Sequence, residues 1–146
     1  MNMAGDIRVR TDQKYRGLYG DLKNFALGDM HELFFLSVCL GFRSKKTKPL
    51  GPAGEDRFWS RTITPEEWAC YYAITLQDNS MDLVSIKDDK TVLSKMEEYA
   101  NGGIEVLLED FLKDYCNSDL ILDSTRAKEL PKTLLGFIYE QLTPSV

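Results

Sequence analysis

The stretch from Met30 to Leu40 restricts the fold more than any other part of the chain. Met30, Leu33, Phe34 and Val38 recur at helical spacing, and Phe35 and Leu36 fill the flanks between them. A helix that is apolar nearly all round has to be buried, so the other segments must supply its cover. Asp29 is read as its N-cap and Gly41 as its C-terminal stop.

The chain can supply that cover. Its 146 residues suit one domain, and seven Phe, seven Tyr and two Trp give the bulk for a real core. Residues 1–12 are polar, with a short Ile7-Arg8-Val9-Arg10 alternation that suits either a flexible lead-in or an edge strand. Tyr15, Leu18, Tyr19, Leu22 and Phe25 form a helical stripe. Residues 43–63 read as a long irregular segment with Phe58 and Trp59 pinned to the core.

Thr64-Pro65-Glu66-Glu67 is a capping box with proline at the first helical position. Trp68, Ala69, Tyr72, Ala73 and Leu76 are expected to face inward from that helix. Met81–Ile86 is open between a short strand and the start of a helix. A further helix is predicted from Asp89 to Asn101, ended by Gly102-Gly103, and another from Ile104 to Tyr115. Pro131 is expected to open the last helix, with Leu134, Leu135, Ile138 and Leu142 inward. The expected fold is mainly α: a compact single-domain bundle of five or six helices, with a long basic loop and at most a minor β element.

Several function classes are disfavoured. The longest apolar stretch, Leu33–Leu40, is far shorter than the roughly 20 residues a membrane span needs. The first residues do not read as a secretory leader. Cys39, Cys70 and Cys116 are widely spaced, which speaks against a disulfide framework and for a reducing, cytoplasmic setting. One histidine and no Cys-x-x-Cys make a structural zinc site an unexpected feature, and no metal or cofactor is expected. No phosphate-binding glycine loop is present. Gly102-Gly103 would open a helix whose N-terminus attracts anions, but Glu105 competes there.

Three features remain as candidates. His31 is the only imidazole and has Glu32 beside it, but adjacent helical residues do not face each other and no nucleophile is placed near them, so it reads as a helix-end histidine with a structural hydrogen bond. The acidic pairs Asp88-Asp89, Glu97-Glu98 and Glu109-Asp110 read as solvated faces and helix-dipole partners. Arg43, Lys45, Lys46 and Lys48 form the one basic cluster, flanked by Phe42 and Phe58, which suits phosphate contact with base stacking. The net charge of −5 argues the other way. That charge is uneven: residues 1–63 hold 11 Lys/Arg and 7 Asp/Glu, and residues 64–146 hold 7 and 16. Either a dipolar molecule results, or folding mixes the halves.

The run Glu32-Leu33-Phe34-Phe35-Leu36-Ser37-Val38-Cys39-Leu40-Gly41-Phe42-Arg43, the basic loop ending Lys48-Pro49-Leu50, and Glu97-Glu98-Tyr99-Ala100-Asn101-Gly102-Gly103 resemble one family. It is the small accessory proteins of bacterial DNA phosphorothioation (Dnd-type) modification and restriction systems. The resemblance covers residues 25–115; the insert 51–57 and the tail after Tyr115 lie outside it. It implies phage defence linked to sulfur-modified DNA and docking onto larger protein subunits, and it transfers no catalytic residue. Glu98, Tyr99, Ala100, Asn101, Gly102 and Gly103 would then serve as a helix end or a docking motif. The expectation is a non-enzymatic adaptor. The alternatives are a direct DNA-binding adaptor using residues 43–48 and an enzyme centred on His31.

Overall fold

The computed structural model describes residues 6–25, 28–51, 54–117, 120–123 and 125–142. Five α-helices and a two-stranded sheet account for most of them: β1 (Arg8–Asp12), α1 (Arg16–Phe25), α2 (Met30–Arg43), β2 (Gly54–Trp59), α3 (Pro65–Asp78), α4 (Asp89–Asp110) and α5 (Leu130–Leu142). The molecule is mainly α, as its periodicities require. No described helix is long and apolar enough to cross a membrane.

The alternation at residues 7–10 resolves as a strand. β1 pairs antiparallel with β2, burying Val9 and Thr11 while Arg8 and Arg10 face out. The segment read as irregular thus contains β2, followed by a tight turn at Ser60–Thr62. A register shift between Val9 and Arg10 leaves Arg57 without a strand partner, a β-bulge. Its guanidinium turns inward, donates to Thr11 Oγ1 at 2.7 Å and the Asp12 carbonyl at 3.0 Å, and pairs with Glu55.

α2 packs chiefly against α4, and glycines govern that contact. The expected stops at Gly41 and Gly102-Gly103 do not occur. α2 continues to Arg43, and α4 runs unbroken for 22 residues through both glycines. Their role is close approach. A Cβ on Gly41 would overlap the Tyr99 carbonyl, one on Gly102 the Lys46 carbonyl, and one on Gly103 the Ser37 carbonyl. The two backbones meet where side chains are missing, and Leu33, Phe34, Val38, Val92, Leu93, Met96, Ala100, Ile104 and Leu107 join the core around them.

α3 begins as expected. Thr64 Oγ1 accepts from the Glu67 N–H and the Glu67 carboxylate accepts from the Thr64 N–H. Its buried face differs from the expected stripe. Glu67, Tyr71, Ile74 and Thr75 are buried, whereas Ala69 and Ala73 are exposed. The cause is the phase set by Glu67, which turns inward to meet His31 from α2. After α3, Ser80 and Met81 take positive φ angles of 55° and 64°, and Leu83–Ile86 form a 3-10 turn, neither a strand nor an α-helix. In α5 Leu130, Leu134 and Phe137 are buried, but Leu135 is exposed rather than inward. The side chains of Phe25 and Leu142 lie outside the described set.

Candidate functional site

The four basic residues of loop 43–48 divide into two pairs. Lys48 Nζ lies 2.6 Å from Glu105 Oε1, and Lys46 Nζ lies 3.4 Å from Glu105 Oε2 and 3.9 Å from Glu109. Tyr15 donates its hydroxyl to the same Glu105 carboxylate at 3.1 Å. Burial works to raise the Glu105 pKa, but hydrogen bonds from Lys48 and Tyr15 and the Lys48 charge leave it lowered overall. Glu105 is therefore a collector of cations rather than a plain solvated residue. Arg43 and Lys45, in contrast, are exposed and have no carboxylate partner among the described residues.

The loop is held by backbone bonds. Lys46 N donates to the Gly41 carbonyl at 2.8 Å, Lys48 N donates to the Glu98 carbonyl at 3.0 Å, and Lys45 sits at φ 53°. Asn101 is fully buried; its Oδ1 accepts from the Asp12 N–H at 3.3 Å and its Nδ2 donates to the Lys48 carbonyl at 3.5 Å. The segment Glu98-Tyr99-Ala100-Asn101-Gly102-Gly103 thus joins α4 to α2, β1 and the basic loop at once, from mid-helix and not from a helix end.

Arg43 and Lys45 open onto a cleft of about 960 Å³, which also takes Thr47, Asn79, Thr91 and Lys95 into its wall. Phe42 and Tyr99 meet edge to face at 5.6 Å in the same wall, and Tyr99 donates its hydroxyl to Asp78 at 2.6 Å. Burial first, then the Asp78 carboxylate, raises the Tyr99 pKa, so the ring stays protonated. Lys95 sits 5.6 Å over that ring and 3.6 Å from Glu98. Phe58 plays no part here: it is buried against Phe34 at 5.3 Å and has no face free for a base.

A projecting apolar turn adjoins the cleft. Asn79 and Ser85, both in the cleft wall, bracket Met81, Leu83 and Val84, which are 66%, 69% and 63% exposed. The turn is braced from behind: Met81 N donates to the Leu76 carbonyl at 2.7 Å, and Asp82 Oδ1 accepts from the Val84 N–H at 3.0 Å. The braced backbone thus holds three apolar side chains out in solvent beside the cleft. Sequence reading missed this turn because a few apolar residues around Asp82 look the same whether they lie in or out of a core.

His31 makes the structural hydrogen bond expected of a helix-end histidine, with a partner from another helix. Glu67 Oε1 lies 2.9 Å from Nδ1, and Asp29 Oδ2 lies 3.7 Å from Nε2. One ligand-capable atom from each of Asp29, His31 and Glu32 falls within 4.8 Å of the other two, so the adjacent Glu32 does converge with the imidazole. A carboxylate at Nδ1 favours the tautomer whose Nε2 carries the lone pair, on the side of Asp29. Glu67 was visible in the sequence only as a helix cap, because its partner lies 36 positions away.

Two of the acidic pairs also depart from the solvated reading. Asp89 is buried and accepts the Tyr72 hydroxyl at 2.7 Å, and Glu97 accepts the Arg10 N–H at 2.8 Å. All three described thiols are half-buried. Burial, then its neighbour Cys70, pushes Cys39 up to about 12; burial, then Asp21, pushes Cys116 up to about 11. Such thiols are poor nucleophiles. No protein-family model matches the chain, and no curated protein or solved structure matches it either.

Proposed function

We propose that the chain is a non-enzymatic adaptor that docks an acidic, partly apolar segment of a larger protein subunit. The observation that carries this reading is the pairing of the cleft cations Arg43, Lys45 and Lys95 with the projecting turn at Met81, Leu83 and Val84. Cations steer and orient a partner, and desolvated apolar groups supply most of the affinity. The family resemblance puts that partner in a bacterial DNA phosphorothioation modification or restriction system, acting in the cytoplasm. In this reading the compact helical bundle is a mount for the basic loop and the apolar turn.

Co-purification with the candidate subunits of such a system tests the proposal. The native chain is expected to be retained. Arg43→Glu with Lys45→Glu, and separately Leu83→Ser with Val84→Ser, are expected to release it. A native chain that stays unbound beside every such subunit overturns it.

Direct DNA binding is the second reading, and the uncommitted charges of Arg43 and Lys45 favour it. If they touch phosphates, substituting either would lower the salt slope by about 0.9. Substituting Lys46 or Lys48, which Glu105 occupies, would change it little. No gel shift at low salt ends this reading.

A further inference from the structure

We propose that Asp29, His31 and Glu32, backed by Glu67, form a binding site for a divalent cation of the zinc class, independent of the docking surface. The three candidate ligands differ in chemistry: one imidazole nitrogen and two carboxylate oxygens, a set that zinc accepts. Among the described residues neither carboxylate has a Lys or Arg partner, so neither is already neutralised.

Glu67 supplies an independent observation. Its side chain is only 9% exposed, and both its oxygens lie within 3.1 Å of Nδ1. A carboxylate there favours the tautomer with the proton on Nδ1, and Nε2 then faces Asp29, whose Oδ2 lies 3.7 Å away. A carboxylate behind a histidine is the recurrent outer support of a metal-bound imidazole.

The charge balance also suits a dication. Asp29 and Glu32 offset its two charges, and Glu67 lies behind them. The shallow depression beside His31, about 320 Å³, also takes in Lys23 and Arg57. Arg57 is already compensated by Glu55 at 2.7 Å, so it opposes a bound cation weakly. Tetrahedral ligands about 2.1 Å from zinc stand about 3.4 Å apart. Closing from the present spread to that value needs a shift of the Asp29 and Glu32 side chains, and Asp29 is 64% exposed and free to make it.

The test adds Zn²⁺ alone to the reduced full chain and follows the ring resonances of His31, the one imidazole present. Saturation at one equivalent, with a rise in Tm, is expected. Asp29→Asn and Glu32→Gln, both at exposed positions, are each expected to weaken binding about tenfold or more. Glu67→Gln keeps a capping-box residue at that position and should still weaken binding about 10- to 100-fold. Unmoved His31 resonances overturn the site. So does zinc affinity unchanged by Asp29→Asn and Glu32→Gln, which would assign the metal to the thiols of Cys39 and Cys70.

Discussion

A methyl group at Gly103 has no space to occupy, because the Ser37 carbonyl and the Gly41 nitrogen already fill the position of its Cβ. Gly103→Ala should therefore cost about 3 kcal/mol or more in denaturant unfolding, despite the gain in helix propensity. Gly20 in α1 has nothing within 4 Å of its Cβ position, and Gly20→Ala should raise stability by about 0.5–1 kcal/mol. The opposite signs separate glycine used for contact from glycine merely tolerated. Tyr71 gives a third residue-level test. Its hydroxyl is buried without a hydrogen-bond partner among the described residues, so Tyr71→Phe should stabilise by about 1 kcal/mol in the same assay. Glycine was also where the sequence misled. Gly41 and Gly102-Gly103 carry the signal of a helix stop, and the same residue permits close packing. Only the position of a helix some 60 residues away decides between them, and no local window holds that information.

At the scale of elements, start signals were easy to read and rotational phase was not. The Thr64 capping box was legible because its hydrogen bonds span three residues. Thr64→Ala should cost about 1 kcal/mol, read as a lower Tm with unchanged helical content below the transition. Which face of α3 turns inward was not legible. Trp68 and Tyr72 look like core residues, yet they stack on each other at 5.4 Å near the surface while Glu67 and Tyr71 go in. A buried carboxylate is an exception to apolar patterning, and it needed His31 from another helix to make it stable. β1 was half legible: its alternation was present, but a strand requires a partner, and β2 begins 42 positions after β1 ends, at Gly54. The basic loop was legible as a cluster, while its division between Glu105 and the cleft depends on the course of α4.

At the scale of the whole molecule, the two halves of the chain meet at a few polar contacts: Lys14, Lys46 and Lys48 converge on Glu105, and Glu97 accepts the Arg10 N–H, while Arg8, Arg10, Arg16, Arg57 and Arg61 pair with carboxylates of their own half. Glu97 gives that contact a pH signature. Burial raises its pKa to about 7, with Asp56 and Glu98 adding to the rise and the Arg10 N–H and charge opposing it. A carboxyl raised in the folded state binds its proton more tightly there than in the unfolded chain. Its contribution is complete below about 4.5, the unfolded value, and fades as pH climbs through about 7. The Tm of the native chain should therefore fall, relative to that of Glu97→Gln, between pH 5 and pH 8. The close α2–α4 crossing has a further consequence during synthesis. α2 leaves the ribosome about 60 residues before the middle of α4, a delay of about 3–12 s at 5–20 residues per second. For that interval a helix coated in Leu, Phe and Val has no mate, so slower decoding of residues 44–88 is expected to lengthen its exposure to aggregation.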